Sequence, residues 1–135
     1  MLTAEQPRDF AERYAAAWCS HAAASVAAFY SPEGSISVNG APPACGRTAI
    51  TELAQGFMTD FPDLQVRMDD LTVAGDLIVF RWTLIGTNTG AGGTGNRVRI
   101  SGFEEWRIGA DGLIAESHGQ FDAAEYQRQL KHGWG

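Results

Sequence analysis

The sequence predicts an α+β domain, in which helices from the first half of the chain pack on one face of an antiparallel sheet formed by the second half. Up to Pro62, apolar residues recur at the three- and four-residue spacing of amphipathic helices. After Pro62, long segments of alternating apolar and polar residues are separated by Gly and Asp, which is the pattern of strands and turns. A chain of 135 residues is long enough for one hydrophobic core and too short for two, so we expect a single domain over residues 1–135.

Three helices are predicted before the sheet. The first follows a capping-box pattern at residues 3–6 and carries an aromatic stripe at i, i+4 and i+8. That stripe consists of Phe10, Tyr14 and Trp18. An alanine-rich segment ending at Tyr30 predicts a shorter second helix, which residues 31–34 (Ser-Pro-Glu-Gly) terminate. The third helix is predicted over residues 48–61, because Pro62 cannot continue it.

Five strands and a C-terminal helical segment complete the predicted fold. The strands are expected at residues 35–38, 64–73, 77–87, 96–108 and 113–122. Residues 123–131 are expected to add one or two helical turns, with Asp122 as their N-cap rather than as a catalytic carboxylate.

The last two strands are predicted to form a hairpin around residues 110–112, Ala-Asp-Gly, which have the composition of a three-residue loop with glycine at positive φ. This loop fixes an expected register. The resulting cross-strand pairs are Ile108 with Ile114, Trp106 with Glu116, and Glu104 with His118. Because strand side chains alternate in direction, all six are expected on one face of the sheet.

In this register, Glu104 and His118 are the candidate acid/base residues. A carboxylate on an otherwise apolar face needs a cationic or hydrogen-bonding partner, and an imidazole provides one. Two roles stay open for the pair. The residues are either a catalytic acid and base in a cleft, or a buried structural ion pair without a catalytic role. Residues predicted to bind substrate beside the pair are Trp82, Trp106, Glu116 and Gln120.

Composition limits the classes of partner. The net charge of −6 argues against nucleic acid and anionic membranes, because both select basic surfaces. The sequence shows no apolar run of membrane-spanning length and no signal-peptide core, so we expect a cytoplasmic protein. Three histidines without metal-ligand spacing, and two cysteines, Cys19 and Cys45, without a motif, predict no metal site.

The glycine-rich stretch at residues 90–95 matches Gly-x-Gly-x-x-Gly in form only. A dinucleotide site needs this motif to lie between a strand and a helix, whereas here a strand follows. We therefore expect a flexible hairpin loop, a candidate lid, and no nucleotide or other cofactor.

Several short motifs, in order along nearly the whole chain, resemble the SnoaL-like branch of the NTF2-like superfamily. They are residues 29–34 (Phe-Tyr-Ser-Pro-Glu-Gly), 46–50 (Gly-Arg-Thr-Ala-Ile), 61–64 (Phe-Pro-Asp-Leu), 81–83 (Arg-Trp-Thr), 86–90 (Gly-Thr-Asn-Thr-Gly) and 111–116 (Asp-Gly-Leu-Ile-Ala-Glu), together with Trp18. The resemblance implies a strongly curved sheet wrapped around the helices as a cone, with a pocket in its open end. It also implies a homodimer formed through the sheet, with Phe103 and Phe121 expected on the outer face.

The resemblance implies a function class as well. SnoaL-like cyclases are similar in using an aspartate base on the last strand, helped by a histidine on the neighbouring strand. Here the two residue types are exchanged, since His118 stands at the position of the base and Glu104 is its expected neighbour. We therefore expect a cofactor-independent acid/base enzyme of the isomerase, cyclase or dehydratase type, acting on a small hydrophobic organic molecule. The alternative is a non-catalytic ligand-binding or dimerisation module.

Overall fold

A computed structural model of the protein describes residues 5–134 as four helices and one six-stranded sheet. The helices are α1 (Glu5–Cys19), α2 (Ala23–Ala27), α3 (Gly46–Asp60) and α4 (Ala123–His132). The strands are β1 (Tyr30–Val38), β2 (Ala44–Cys45), β3 (Gln65–Ala74), β4 (Leu77–Thr87), β5 (Arg97–Ile108) and β6 (Ile114–Phe121). Thr3 and Ala4 of the expected capping box lie outside the described residues. Within residues 5–134, no helix combines the length and the apolar character needed to cross a membrane.

The sheet has the strand order β2-β1-β6-β5-β4-β3, and the helices and sheet form the predicted α+β arrangement. All neighbouring strands are antiparallel except β1 and β6, which are parallel. The expectation of a purely antiparallel sheet is therefore wrong at this one pair, because the last strand enters the sheet beside the first. The two-residue strand β2 was not predicted, since so short a segment carries no alternation.

The aromatic stripe of α1 anchors the helices on the sheet. Phe10 and Tyr14 contact Trp106 edge-on, at ring-centroid distances of 5.8 and 5.0 Å. Trp106 in turn stacks on Phe80 of β4 at 4.9 Å. All of these rings are buried, and each large apolar side chain removed from water contributes about 1.5–3 kcal/mol. Phe10 and Tyr14 of the predicted stripe therefore pack α1 onto the concave face.

The C-terminal segment covers an open edge of β5. Because β6 ends opposite Gly102, the first part of β5 has no strand partner on that side. The side-chain oxygen of Gln129 accepts the backbone N–H of Arg99 at 2.7 Å, and the backbone N–H of Trp134 donates to the carbonyl of Arg97 at 2.8 Å. These bonds replace the missing ladder and protect the edge from pairing with another chain.

The start of α4 confirms the role expected of Asp122. Its carboxylate accepts the backbone N–H of Glu125 at 3.0 Å, with extended backbone at Asp122 itself. An N-cap of this kind stabilises a helix by about 1 kcal/mol. Asp122 is thus engaged at the helix start.

The hairpin between β5 and β6 contains a β-bulge that the predicted register lacks. Ile108 does lie opposite Ile114, but Arg107 lies opposite Glu116, so that Ala115 is an extra residue on β6. Beyond the bulge every pair is shifted by one position. The observed pairs are Trp106 with Ser117, Glu105 with His118, and Glu104 with Gly119. A one-residue shift moves a side chain to the other face of a sheet, so the expected Glu104–His118 contact is wrong.

The glycine-rich loop between β4 and β5 packs against the end of α3. The backbone N–H of Gly90 donates to the carbonyl of Asp60 at 3.3 Å, and the side-chain amide of Asn88 donates to the same carbonyl at 3.1 Å. A β-carbon at Gly90 would overlap the carbonyl oxygen of Thr59. The close approach of the α3 backbone is therefore a reason for glycine at position 90. The expected lid required glycine only for flexibility.

Candidate functional site

A cavity of about 60 Å³ lies between the concave face of the sheet and the helices α1, α3 and α4. Aliphatic side chains form much of its wall, and five aromatic residues complete it: Trp18, Phe57, Trp82, Phe121 and Tyr126. Among the described residues, Glu104 is the one Asp, Glu, His, Lys or Arg side chain in this wall. An apolar wall with a single acidic group is the composition expected of a small-molecule site, in a cavity that is smaller than most such sites.

Glu104 is buried on β5, and its two carboxylate oxygens have different surroundings. Oε1 accepts hydrogen bonds from the Ser117 hydroxyl at 2.7 Å, the Trp106 indole N–H at 2.9 Å and the Tyr14 hydroxyl at 3.1 Å, with the Tyr30 hydroxyl at 3.4 Å. Within residues 5–134, Oε2 has a single hydrogen bond, from the Tyr14 hydroxyl at 3.4 Å. The group therefore keeps one oxygen with free hydrogen-bonding capacity.

Tyr14 and Tyr30 form a buried hydroxyl pair behind Glu104, with their oxygens 2.8 Å apart. Because each hydroxyl has one proton, a Tyr14 that donates to Glu104 accepts its own bond from Tyr30. Burial raises the pKa of both hydroxyls well above the ordinary value, and the negative charge of Glu104 raises the pKa further. Both tyrosines therefore act as neutral donors.

Burial also raises the pKa of Glu104. The hydrogen bonds from Trp106, Ser117 and the tyrosine pair oppose this shift, since they stabilise the ionised form, but desolvation is the largest effect. Among the described residues, no Lys, Arg or His lies within ion-pair distance of Glu104. A carboxylate with a raised pKa and no cation beside it is a stronger base than an exposed glutamate.

The structure separates the residues predicted to form the site. Trp82 lines the cavity, as expected. Trp106 is fully buried behind Glu104 and contributes its indole N–H rather than a surface for substrate. Glu116, His118 and Gln120 lie on the outer face of β6, because the bulge at Ala115 inverts the direction of each side chain.

On that outer face, His118 takes part in surface contacts. Its Nδ1 lies 2.9 Å from the Ser37 hydroxyl, and its Nε2 lies 3.4 Å from Glu116. Glu116 also pairs with Arg107 at 3.3 Å, and hydrogen bonds from Arg107 and then His118 lower the pKa of that carboxyl. These side chains are about half exposed or more, and exposed pairs of this kind contribute little to stability.

Four residues near Glu104 were not identified from the sequence: Tyr14, Tyr30, Ser117 and Gly119. For β6 a signal existed, since small or apolar residues at 117, 119 and 121 alternate with polar ones at 116, 118 and 120. No local pattern joins the tyrosines to Glu104, because they lie 90 and 74 positions away along the chain.

The donors around Glu104 are hydroxyl and indole groups, which are poor metal ligands. Across residues 5–134, no three His, Cys, Asp or Glu side chains are grouped as metal ligands would be. The arrangement is instead that of a buried acid/base group in an apolar cavity.

Solved structures share this fold at low sequence identity. TsrD from Streptomyces laurentii is 23% identical, with a TM-score of 0.82 over 96% of this chain and 98% of that chain. A protein with a ketosteroid isomerase-like fold from Catenulispora acidiphila, solved in complex with trimethylamine, is 14% identical, with a TM-score of 0.80 over 90% of this chain and 92% of that chain. An NTF2-like protein from Exiguobacterium sp. 255-15 is 19% identical, with a TM-score of 0.71 over 84% of this chain and 98% of that chain. The predicted NTF2-like α+β fold is thus confirmed.

Sequence comparison agrees with the structural likeness. Among curated proteins, none matches this sequence. The family model of the SnoaL-like polyketide cyclases matches residues 8–130, which is nearly the whole chain. This chain therefore belongs to the SnoaL-like polyketide cyclase family.

Proposed function

We propose that the protein binds a small, largely apolar organic molecule in the cavity and acts on it as a cofactor-independent acid/base enzyme of the isomerase, cyclase or dehydratase type. Glu104 is the catalytic base in this proposal. The observation that carries it is a carboxyl in the wall of an apolar cavity that has no cationic partner in the part of the chain the structure describes, with Oε2 left nearly free. His118 has no part in the reaction, because it lies on the opposite face of the sheet.

The proposed step is proton transfer between carbon and Oε2. The C–H bond next to a carbonyl group of the substrate breaks, its proton bonds to Oε2, and its electron pair delocalises onto the carbonyl oxygen as an enolate. Return of the proton to a different carbon of the conjugated system completes an isomerisation, and return to the same carbon gives hydrogen exchange. Burial favours the first half of this cycle, because a raised pKa makes the ionised Glu104 a stronger base.

Hydrogen exchange at carbon tests the proposal without knowledge of the natural substrate. In D₂O with cyclopentanone, we expect the wild-type protein to accelerate deuteration next to the carbonyl, measured by NMR. Glu104→Gln should lower this rate by about 10²- to 10⁴-fold, because an amide cannot accept the proton. Glu105→Gln is the matched control, since Glu105 is the next residue on the strand and is exposed on the outer face. Equal rates for wild type and Glu104→Gln would contradict the assignment.

The competing proposal is a ligand-binding module without turnover. It is supported by the absence of His118 from the cavity, which leaves Glu104 without the partner that a two-residue acid/base scheme needs. Binding of cyclopentanone without accelerated exchange would favour this alternative.

We also propose that the protein forms a homodimer through the outer face of the sheet. Phe121, expected on that face, instead lines the cavity. The face still presents Phe103, with the Arg81 guanidinium 5.7 Å from its ring, and the exposed apolar side chain of Leu77 near one end. Apolar groups among charges are typical of subunit interfaces.

Sedimentation velocity tests the dimer. At a concentration on the order of tens of micromolar, we expect a dimer for the wild type and a monomer for Phe103→Asp, because a buried unpaired carboxylate opposes association. A wild-type monomer at that concentration would contradict the proposal.

A further inference from the structure

Gly119 lies directly across from Glu104, where β6 faces the cavity. A β-carbon at this position would lie 3.6 Å from Cγ of Glu104 and 3.6 Å from the carbonyl oxygen of Ser37, which are ordinary van der Waals distances. By contrast, a β-carbon at Gly102 of β5 would overlap the carbonyl oxygen of Gln120. The backbone thus requires glycine at 102 but not at 119, and Gly119 lines the cavity together with Glu104 without a side chain of its own.

Glu104 has one oxygen that can still form hydrogen bonds. Oε1 is occupied by the donors Ser117 and Trp106 together with the nearer contact of Tyr14, whereas Oε2 has one contact at 3.4 Å. A carboxylate oxygen has room for more than one hydrogen bond, so Oε2 retains capacity for a bound molecule.

The charge of the cavity wall limits which ligands can bind. No Lys, Arg or His among the described residues lines the cavity, so nothing there compensates an anionic ligand next to Glu104. The other side chains of the wall are apolar or aromatic, which favours an uncharged molecule.

We propose that Gly119 and Glu104 form a subsite that receives the reacting CH₂ group of a small, uncharged substrate, and that Gly119 determines which substrates reach the base. This inference rests on the proposed role of Glu104 and names the substrate class. A side chain at 119 would take up part of the cavity next to Glu104.

Gly119→Ala tests the subsite with little risk to folding, because its β-carbon meets only ordinary contacts. We expect binding of cyclopentanone, measured by NMR titration, and deuterium exchange into it to fall at least about tenfold, since one methyl group in a pocket has effects of this size. Gly56→Ala is the matched control, because Gly56 is exposed on α3 with open space around its Cα, and both wild-type values should be retained.

Charged analogues of similar size test the substrate class. We expect neither cyclopentanecarboxylate nor cyclopentylammonium to displace cyclopentanone. Stronger binding of the ammonium compound would overturn the uncharged class and indicate a cation site at Glu104. Stronger binding of the carboxylate would overturn it as well.

The two proposals fail in different ways. If Glu104→Gln loses exchange while Gly119→Ala retains wild-type binding and exchange, the subsite is wrong and the base assignment stands. If the wild type binds cyclopentanone without exchanging its protons, the base is wrong, and the loss or retention of binding in Gly119→Ala decides the subsite. A wild type that neither binds nor exchanges cyclopentanone contradicts both.

Discussion

Replacing Trp106 with alanine is expected to lower the free energy of unfolding by about 3–5 kcal/mol, the range typical of aromatic deletions in a core. The ring is fully buried, stacks on Phe80, and is contacted edge-on by Phe10 and Tyr14. Its removal leaves a cavity between α1 and the sheet. It also removes the indole N–H that donates to buried Glu104, which weakens the support of that carboxyl.

Two further variants separate these effects in urea unfolding. Trp106→Phe keeps most of the packing and removes the N–H, so it should lose less stability than alanine while raising the pKa of Glu104 further. Trp134→Ala removes a tryptophan that is 51% exposed and should change stability by about 0.5 kcal/mol or less. A Trp106→Ala protein within about 1 kcal/mol of wild type would contradict the central role of this ring in the core.

The elements that the sequence predicted well are those with a long periodic pattern. The aromatic stripe of α1 and the eleven residues of β4 are observed as expected, because helical spacing and strand alternation reflect burial that local sequence records. Short elements were predicted less well. The second helix ends at Ala27 rather than at Tyr30, and Tyr30 begins β1. This difference matters for the site, since it is as a strand residue that Tyr30 reaches Glu104.

The candidate site was predicted only in part, and a single residue accounts for much of the error. Glu104 and Trp82 face the cavity as expected, but the extra residue Ala115 turns His118 outward. A loop composition predicts the turn and gives no information about a bulge three residues beyond it, at Ala115. The polar alternation of β6 contained that information, because it places Glu116 and His118 toward solvent. The contact of Tyr14 with Glu104 depends on the packing of α1 on the sheet and had no local signal.

The ionisation of Glu104 is expected to make the protein less stable as pH rises above about 4.5, the ordinary value of a glutamate carboxyl. In the folded state burial raises the pKa of Glu104, whereas in the unfolded chain the carboxyl ionises near its ordinary value. Between the two pKa values the folded protein binds more protons than the unfolded chain, so stability falls with increasing pH. The loss begins at the unfolded pKa and is complete once pH passes the folded pKa, and each unit between them lowers the free energy of unfolding by about 1.4 kcal/mol.

Other carboxyls act in the opposite direction and at lower pH. Hydrogen bonds from Arg128 lower the pKa of Glu125 to about 2, and hydrogen bonds also lower the pKa of Asp111 and Glu116. Stability from these groups is present above their unfolded pKa values and is lost as pH falls. The wild-type profile is therefore expected to rise from acid pH and then to fall as Glu104 ionises.

Comparison with Glu104→Gln isolates the contribution of this buried carboxyl. The amide has nearly the same shape and does not ionise. As pH rises from about 4 to 8, the free energy of unfolding of the wild type should therefore fall relative to that of Glu104→Gln. Urea titrations at each pH measure both values and hence their difference. Glu116→Gln is the matched control: its exposed carboxyl has a lowered pKa, so this difference should change mainly at acid pH and with the opposite sign. A pH-independent difference for Glu104→Gln would mean that Glu104 titrates alike in the folded and unfolded chains. In that case the group lacks the raised basicity on which the proposed proton transfer depends.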